Sequence, residues 1–164
     1  MSARSAGFGS FAFFLAAPAT LGVLVPALLS GWSADPAPRA AVSILGAIVA
    51  LAGLTTVIAC FIRFVTEGRG TPAPVAPTQE LVVGGLYRHV RNPMYVGVIA
   101  LITGQAIAFA SPAVAAYAVL FTLTVVSFVR LYEEPVLTEQ HGAAYERYRA
   151  AVPGWLPRLR PWSG

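Results

Sequence analysis

The chain has 164 residues, of which 57% are apolar and only 11% charged, and its mean hydropathy is +0.69. A soluble domain carries roughly 25% charged residues, and a disordered chain has far fewer large aliphatic residues, so both classes are excluded and the composition reads as that of a membrane protein. The net charge of +4 comes from eleven arginines without a lysine, while the single cysteine, Cys60, excludes a disulfide framework and any cysteine-based metal cluster.

Four apolar runs without a charged residue predict an all-α integral membrane protein, a single membrane domain over 1–164 with helices at about 8–29, 40–62, 94–110 and 112–129. The first two suit a bilayer core of about 30 Å at about 1.5 Å per residue, and the last two stand near the lower limit of about 17 residues. The first run is too long for a signal-peptide core and has no convincing cleavage site, so it reads as a retained helix. Only Ser111-Pro112 separates the last two runs, and because proline opens a helix more readily than it continues one, they form a tight helical hairpin.

The arginines orient these spans. Arg4 precedes the first, Arg63, Arg69, Arg88 and Arg91 lie between the second and third, and Arg130, Arg147, Arg149, Arg158 and Arg160 follow the fourth, leaving Arg39 alone on the other side. By the positive-inside rule both termini, the loop 63–93 and the tail 130–164 are cytoplasmic. Basicity is therefore a topology signal, and without a basic domain or recognition motif nucleic acid is not an expected partner. Arginine-only basicity with abundant alanine suggests a GC-rich bacterial genome, hence a bacterial inner membrane.

The polar material falls in that loop and tail. Glu67-Gly68-Arg69-Gly70 is followed by Pro72, Pro74 and Pro77, whose spacing blocks helix and favours an extended strap. Then Tyr87-Arg88-His89-Val90-Arg91-Asn92-Pro93-Met94-Tyr95-Val96-Gly97 leads into the third span, with Pro93 in its first turn and Asn92 as its cap. Two arginines, a histidine and an asparagine at the positive end of a helix suit an anion; the alternative is that Arg88 and Arg91 are anchors on lipid phosphates and His89 is structural.

After the fourth span, Glu133 and Glu134 are adjacent carboxylates that repel unless paired, and Arg88 or Arg91 across the hairpin is the natural partner; the alternative is a solvated acidic helix end. Leu137, His141, Tyr145, Tyr148 and Val152 recur at helical spacing, predicting one amphipathic helix whose plainer reading, with Trp155 and Trp162, is an anchor lying in the interface. Residues 152–158, with two prolines and a glycine, need a surface to fold against. Phe11, Phe14, Trp32 and Phe61 in the first two spans cannot be told from lipid-facing residues, which is the plainer reading of each.

Three separated stretches together, Gly85 through Gly97, Glu133-Glu134-Pro135-Val136-Leu137, and Gly142-Ala143-Ala144-Tyr145-Glu146-Arg147-Tyr148 with Val152-Pro153, resemble the isoprenylcysteine carboxyl methyltransferase and phospholipid methyltransferase superfamily of integral membrane enzymes. The resemblance covers roughly 81–160; the first two spans carry no motif. It implies S-adenosylmethionine held at the cytoplasmic helix ends and a lipid-like acceptor entering from the bilayer. Residue by residue, it implies cofactor binding by Tyr87, Arg88, His89, Arg91, Asn92, Pro93, Tyr95, Gly97, Glu133, Glu134, Leu137, Tyr145 and Tyr148. His89 or Arg91 would face the cofactor carboxylate, and Gly97 would permit close approach of a neighbour. Tyr145, Tyr148, Arg149 and Pro153 would close the pocket. His141 stands where the family commonly has an aromatic residue, a departure at the pocket edge.

Methyl transfer from a sulfonium needs positioning rather than covalent catalysis. Glu133, Glu134 and Arg149 are the catalytic candidates: an arginine orients a carboxylate or thiolate acceptor, whereas an amine acceptor needs a base, with Glu133, Glu134 or His89 available. No metal constellation or phosphate loop is present. Rival readings are an NADPH-dependent membrane reductase, which needs more basic side chains for its 2′-phosphate, and a non-enzymatic protein of the same fold.

Overall fold

The computed structural model describes residues 15–31, 40–66 and 81–163, and every regular element among them is helical. The start of the first apolar run with Phe11 and Phe14, the segment with Trp32 and Arg39, and the proline strap with Glu67 and Arg69 lie outside the described residues.

The first helix begins π-wound over Leu15–Leu24 and passes into α1, Val25–Ser30, which ends on Gly31 at φ 58°. Pro26 has no N–H, so it cannot serve the carbonyls of Gly22 and Leu21, four and five residues before it. Both are met from other helices: Gln105 Nε2 donates to the Gly22 carbonyl at 2.6 Å and the Tyr117 hydroxyl to the Leu21 carbonyl at 3.0 Å. Among the described residues, Gln105 is the buried polar side chain of an otherwise apolar core. Gln105→Leu keeps the bulk and strands the Gly22 carbonyl, at a cost of about 1–3 kcal/mol. Its melting temperature in detergent is expected to fall below that of the unmodified chain; equal melting would mean that another donor replaces the amide.

Three longer helices follow: α2 over Ala40–Thr66, α3 over Pro93–Ala108 and α4 over Pro112–Phe128. α2 runs past the expected end at residue 62, with Arg63 in its last turn, where a cation complements the helix dipole. α3 stops at Ala108 rather than residue 110, because Ala110 turns the chain with φ 50°. Ser111 then caps α4, its Oγ accepting from the Val114 N–H at 3.3 Å, so the expected hairpin forms with a slightly longer turn.

α2 and α3 pack antiparallel along small residues. A Cβ on Gly46 would strike the backbone at Ala108, one on Gly104 the backbone at Ala50, and one on Gly53 the backbone at Gly97 and Leu101. The small residues let two helix backbones touch, which is how helices associate where no water is expelled between them. Beside this seam lies a core of Val57, Phe61, Val98, Ile102, Ala106, Val114 and Ala118. Phe61 is therefore buried rather than lipid-facing, a correction to its plainer reading. The outer surface exposes Ile44, Ile48, Leu51, Leu120 and Leu123. Ala40–Arg63 and Pro112–His141 are long and apolar enough to cross a membrane, and Ala17–Ser30 and Pro93–Ala108 are shorter apolar helices.

α4 does not stop at residue 129. It continues through a π-wound turn, Val129–Glu133, into α5, Glu134–His141. Such a run of 30 residues extends about 45 Å, against a bilayer core of about 30 Å, so its last turns project beyond the expected spanning part 112–129 and carry Glu133 and Glu134 with them. The single amphipathic helix expected through Val152 is broken at Gly142, whose φ 50° and ψ −130° only glycine adopts easily, and the chain restarts as α6, Ala143–Ala151. The break lets Tyr145, Tyr148 and Val152 of the second segment bury against Leu81, Val83, Leu137 and Trp162. The apolar face thus packs on the chain itself, not only on an interface.

Candidate functional site

The tail beyond α6 has no regular structure, and its backbone groups are satisfied by the segment before α3. The Arg91 N–H donates to the Pro153 carbonyl at 2.9 Å, Asn92 N–H to Gly154 at 3.2 Å, Arg158 N–H to His89 at 2.9 Å and Trp162 N–H to Arg88 at 2.9 Å. This segment is the surface that the proline-rich tail requires. Asn92 occupies the N-cap position of α3 without a capping side-chain bond; its Nδ2 donates instead to the Gly154 carbonyl at 3.1 Å, so its expected role is corrected from cap to clasp. Trp155 packs at 6.5 Å between ring centroids from Tyr95.

Arg91 is the hub. Its Nη1 donates to Glu134 Oε1 at 2.7 Å and to the Tyr145 hydroxyl at 3.1 Å, and its Nε to the Val152 carbonyl at 3.0 Å. Both side chains of the Arg91–Glu134 pair are 13% exposed, whereas Arg149, which reaches Glu134 Oε2 at 3.3 Å, is 53% exposed. The pairing expected across the hairpin therefore forms through Arg91. Arg88 takes no part; its Nε donates to the Trp162 carbonyl. The anion expected at this helix start is met from within the chain, by Glu134.

The two adjacent carboxylates differ sharply. Glu134 is neutralised by two guanidinium groups, while Glu133 Oε2 accepts from the Tyr95 hydroxyl at 3.0 Å. Burial raises the Glu133 carboxyl above its ordinary pKa, the Tyr95 bond pulls it partly back, and the Glu134 charge raises it again. Burial also raises the Tyr148 and Tyr145 phenols, with Arg91 opposing in each case, so both stay protonated; the Tyr145 hydroxyl accepts from Arg91. The Tyr148 hydroxyl donates to the Tyr87 carbonyl at 2.7 Å.

A cavity of about 380 Å³ is lined by Ala59, Cys60 and Arg63 of α2 and by Gly85, Leu86, Tyr87 and His89 around the 3-10 turn Gly85–Arg88. His89 Nδ1 lies 2.8 Å from the Arg158 carbonyl, which only accepts, so Nδ1 carries the proton and Nε2 is the remaining polar ring atom.

Of the candidate residues, Arg91, Glu134, Tyr145 and Arg149 are joined by direct bonds, and Tyr95 and Glu133 form a separate bonded pair beside them. Tyr87 and His89 line the cavity, and Tyr148 ties the tail helix to the turn. Pro93 is buried, and Gly97 lies in the helix seam, where a Cβ would meet Val57 and the Gly53 carbonyl, the close approach expected of it. Leu137 is half-buried against the tyrosine cluster. Arg63, a topology charge in the sequence, lines the cavity with its guanidinium beside Gly85. The His141 Nε2 atom is buried without a hydrogen-bond partner among the described residues. No group of three or more histidine, cysteine, aspartate or glutamate side chains that could hold a metal occurs among the described residues.

A family model described as phospholipid methyltransferase matches residues 41–144. It covers more than half of the chain, takes in α2, where the sequence carries no motif, and stops just before Tyr145. No curated protein and no solved structure matches the chain.

Proposed function

Because the chain belongs to the phospholipid methyltransferase family, we propose that it transfers a methyl group from S-adenosylmethionine to a lipid-like acceptor at the cytoplasmic face of a bacterial inner membrane. The family match carries this reading, and it favours methyl transfer over reduction by NADPH. The four apolar helices are then the spans, with both termini cytoplasmic by the arginine distribution.

The residues present fit such a cofactor. Arg63 and His89 in the cavity suit its carboxylate, and Glu133, Tyr95 and Tyr87 suit its amino and hydroxyl groups. When bound, S-adenosylmethionine supplies a methyl carbon already activated on a sulfonium. The protein supplies position and charge. Arg91 and Glu134 hold α5 against the start of α3, and the tail is clasped over both. Glu133, whose carboxyl burial raises in pKa against the pull of the Tyr95 bond, takes the proton of an amine acceptor in this reading. Arg149, half-exposed at the rim, orients an acidic acceptor or headgroup.

Calorimetric titration of S-adenosylmethionine, S-adenosylhomocysteine and NADPH into the detergent-purified chain tests the reading. Saturable binding of the first two and none of the third is expected. NADPH binding alone would replace methyl transfer with reduction as the activity.

A further inference from the structure

The sequence suggests Trp155 and Trp162 as interface anchors, but the fold turns both toward the chain: Trp155 packs on Tyr95 at 6.5 Å and Trp162 on Tyr148 at 5.3 Å between ring centroids. The leucines between them stand outside. Leu156 is 80% exposed and Leu159 97%, the most exposed large apolar side chain among the described residues. Neither belongs to a frayed end, because the backbone beside them is pinned: Arg158 N–H donates to the His89 carbonyl and Trp162 N–H to that of Arg88, each at 2.9 Å. The segment is also cationic, since Arg160 is exposed and no carboxylate follows Glu146. Its depth is set by Tyr95 in the first turn of α3, which touches Trp155 and bonds Glu133 at 3.0 Å. Leu131 and Tyr132, which precede Glu133, are exposed as well, so the apolar outer surface of the α4 run reaches the level of the tail.

We propose that this part of the tail is a membrane-docking surface: Leu156 and Leu159 enter the interface of an anionic leaflet, and Arg160 meets its headgroup phosphates. Two leucines on a pinned loop have no apolar partner in water, whereas at the mouth of a span they meet acyl chains. An arginine close to such a leaflet gains from its negative surface potential, and its aliphatic stem lets the guanidinium stay among the headgroups while the leucines lie deeper. The assignment rests on the apolar helices being the membrane spans and not on the reaction catalysed. Its consequence for the site is mechanical. Because the docked segment continues from residues bonded to 88–92, lipid contact holds the tail against Arg91 and, through it, Glu134.

The test places an environment-sensitive fluorophore on the full-length chain, in a Cys60→Ala background, at Leu159→Cys, at Ile48→Cys on the exposed side of α2, or at Gln140→Cys on the exposed side of α5. Each is reconstituted in nanodiscs of phosphatidylcholine, with or without phosphatidylglycerol, that carry nitroxides at a shallow or a deep acyl position. The Ile48 label reports a span and the Gln140 label water. The Leu159 label is expected to be quenched well above the Gln140 level, by the shallow nitroxide more than the deep one. Quenching at the Gln140 level while Ile48 is quenched overturns the docking surface, and so does a Leu159 label shielded from water yet unquenched, which would put protein rather than lipid over the leucines. An unquenched Ile48 label takes α2 out of the bilayer and the docking surface with it, without bearing on cofactor binding. Hydrogen exchange in the anionic nanodiscs reads the clasp. Leu156→Ser with Leu159→Ser should speed exchange of the Arg158 and Trp162 amides by about tenfold or more, and Arg160→Gln should cut the protection gained from phosphatidylglycerol by about fivefold. Unchanged exchange in both variants overturns the link between docking and the clasp.

Discussion

Arg91→Ala is expected to destabilise the chain by about 3 kcal/mol and to abolish methyl transfer. Removing one partner of a buried ion pair costs about 3–5 kcal/mol, because the other charge stays behind without compensation. Here Glu134 would keep Arg149 as a rim partner, which holds the loss to the lower end, but the Val152 carbonyl and the Tyr145 hydroxyl would also lose their donor. Arg149→Ala, by contrast, removes a half-exposed partner and should cost about 1 kcal/mol or less. Thermal denaturation in detergent separates the two substitutions. Combining Arg91→Met with Glu134→Leu tests the cause: replacing both charges should recover much of the stability while activity stays lost. A single Arg91→Ala variant that melts with the unmodified chain would remove Arg91 from the role of hub.

The second large effect is expected from Gly104→Leu. A Cβ at Gly104 already falls on the backbone of Ala50 and lies 2.6 Å from the Gly46 carbonyl, so no rotamer of a leucine there avoids α2. Unlike the far end of a side chain, backbone cannot move aside, and the two helices must separate along the whole small-residue seam. Overpacking costs about 1–3 kcal/mol where the surroundings are side chains, and this substitution belongs at or above the top of that range. Gly142→Ala is the comparison. Nothing lies within 4 Å of its added Cβ, so its cost is confined to the backbone conformation, about 1–3 kcal/mol. Gly104→Leu should lower the melting temperature and the yield of monodisperse protein more than Gly142→Ala; the reverse order would mean that α2 and α3 are not held in contact.

Much of this fold is legible along the chain. The apolar runs place α2, α3 and α4 to within a few residues, and Ser111-Pro112 marks the hairpin. Charge repulsion between Glu133 and Glu134 correctly demands a cationic partner, and the tail's prolines demand a surface. The helix break at Gly142 is less visible, because the apolar period continues through it from Leu137 to Val152; only the backbone angles at the glycine reveal that the period spans two helices.

By itself the sequence determined the class of protein, the helices, the expected orientation and the residues from which a site can be built, because hydropathy, proline placement and charge are properties of neighbouring positions. The tertiary structure decided which residues meet. It gave Arg91 rather than Arg88 to Glu134, left Glu133 with Tyr95, turned Asn92 toward the tail and set Gln105 against the carbonyl stranded by Pro26. These bonds join residues 38 to 83 positions apart. Residues of equal chemistry, such as Arg88 and Arg91 or Glu133 and Glu134, cannot be told apart along the chain; which of them meets which partner is set by how the helices, the 3-10 turn and the tail pack together.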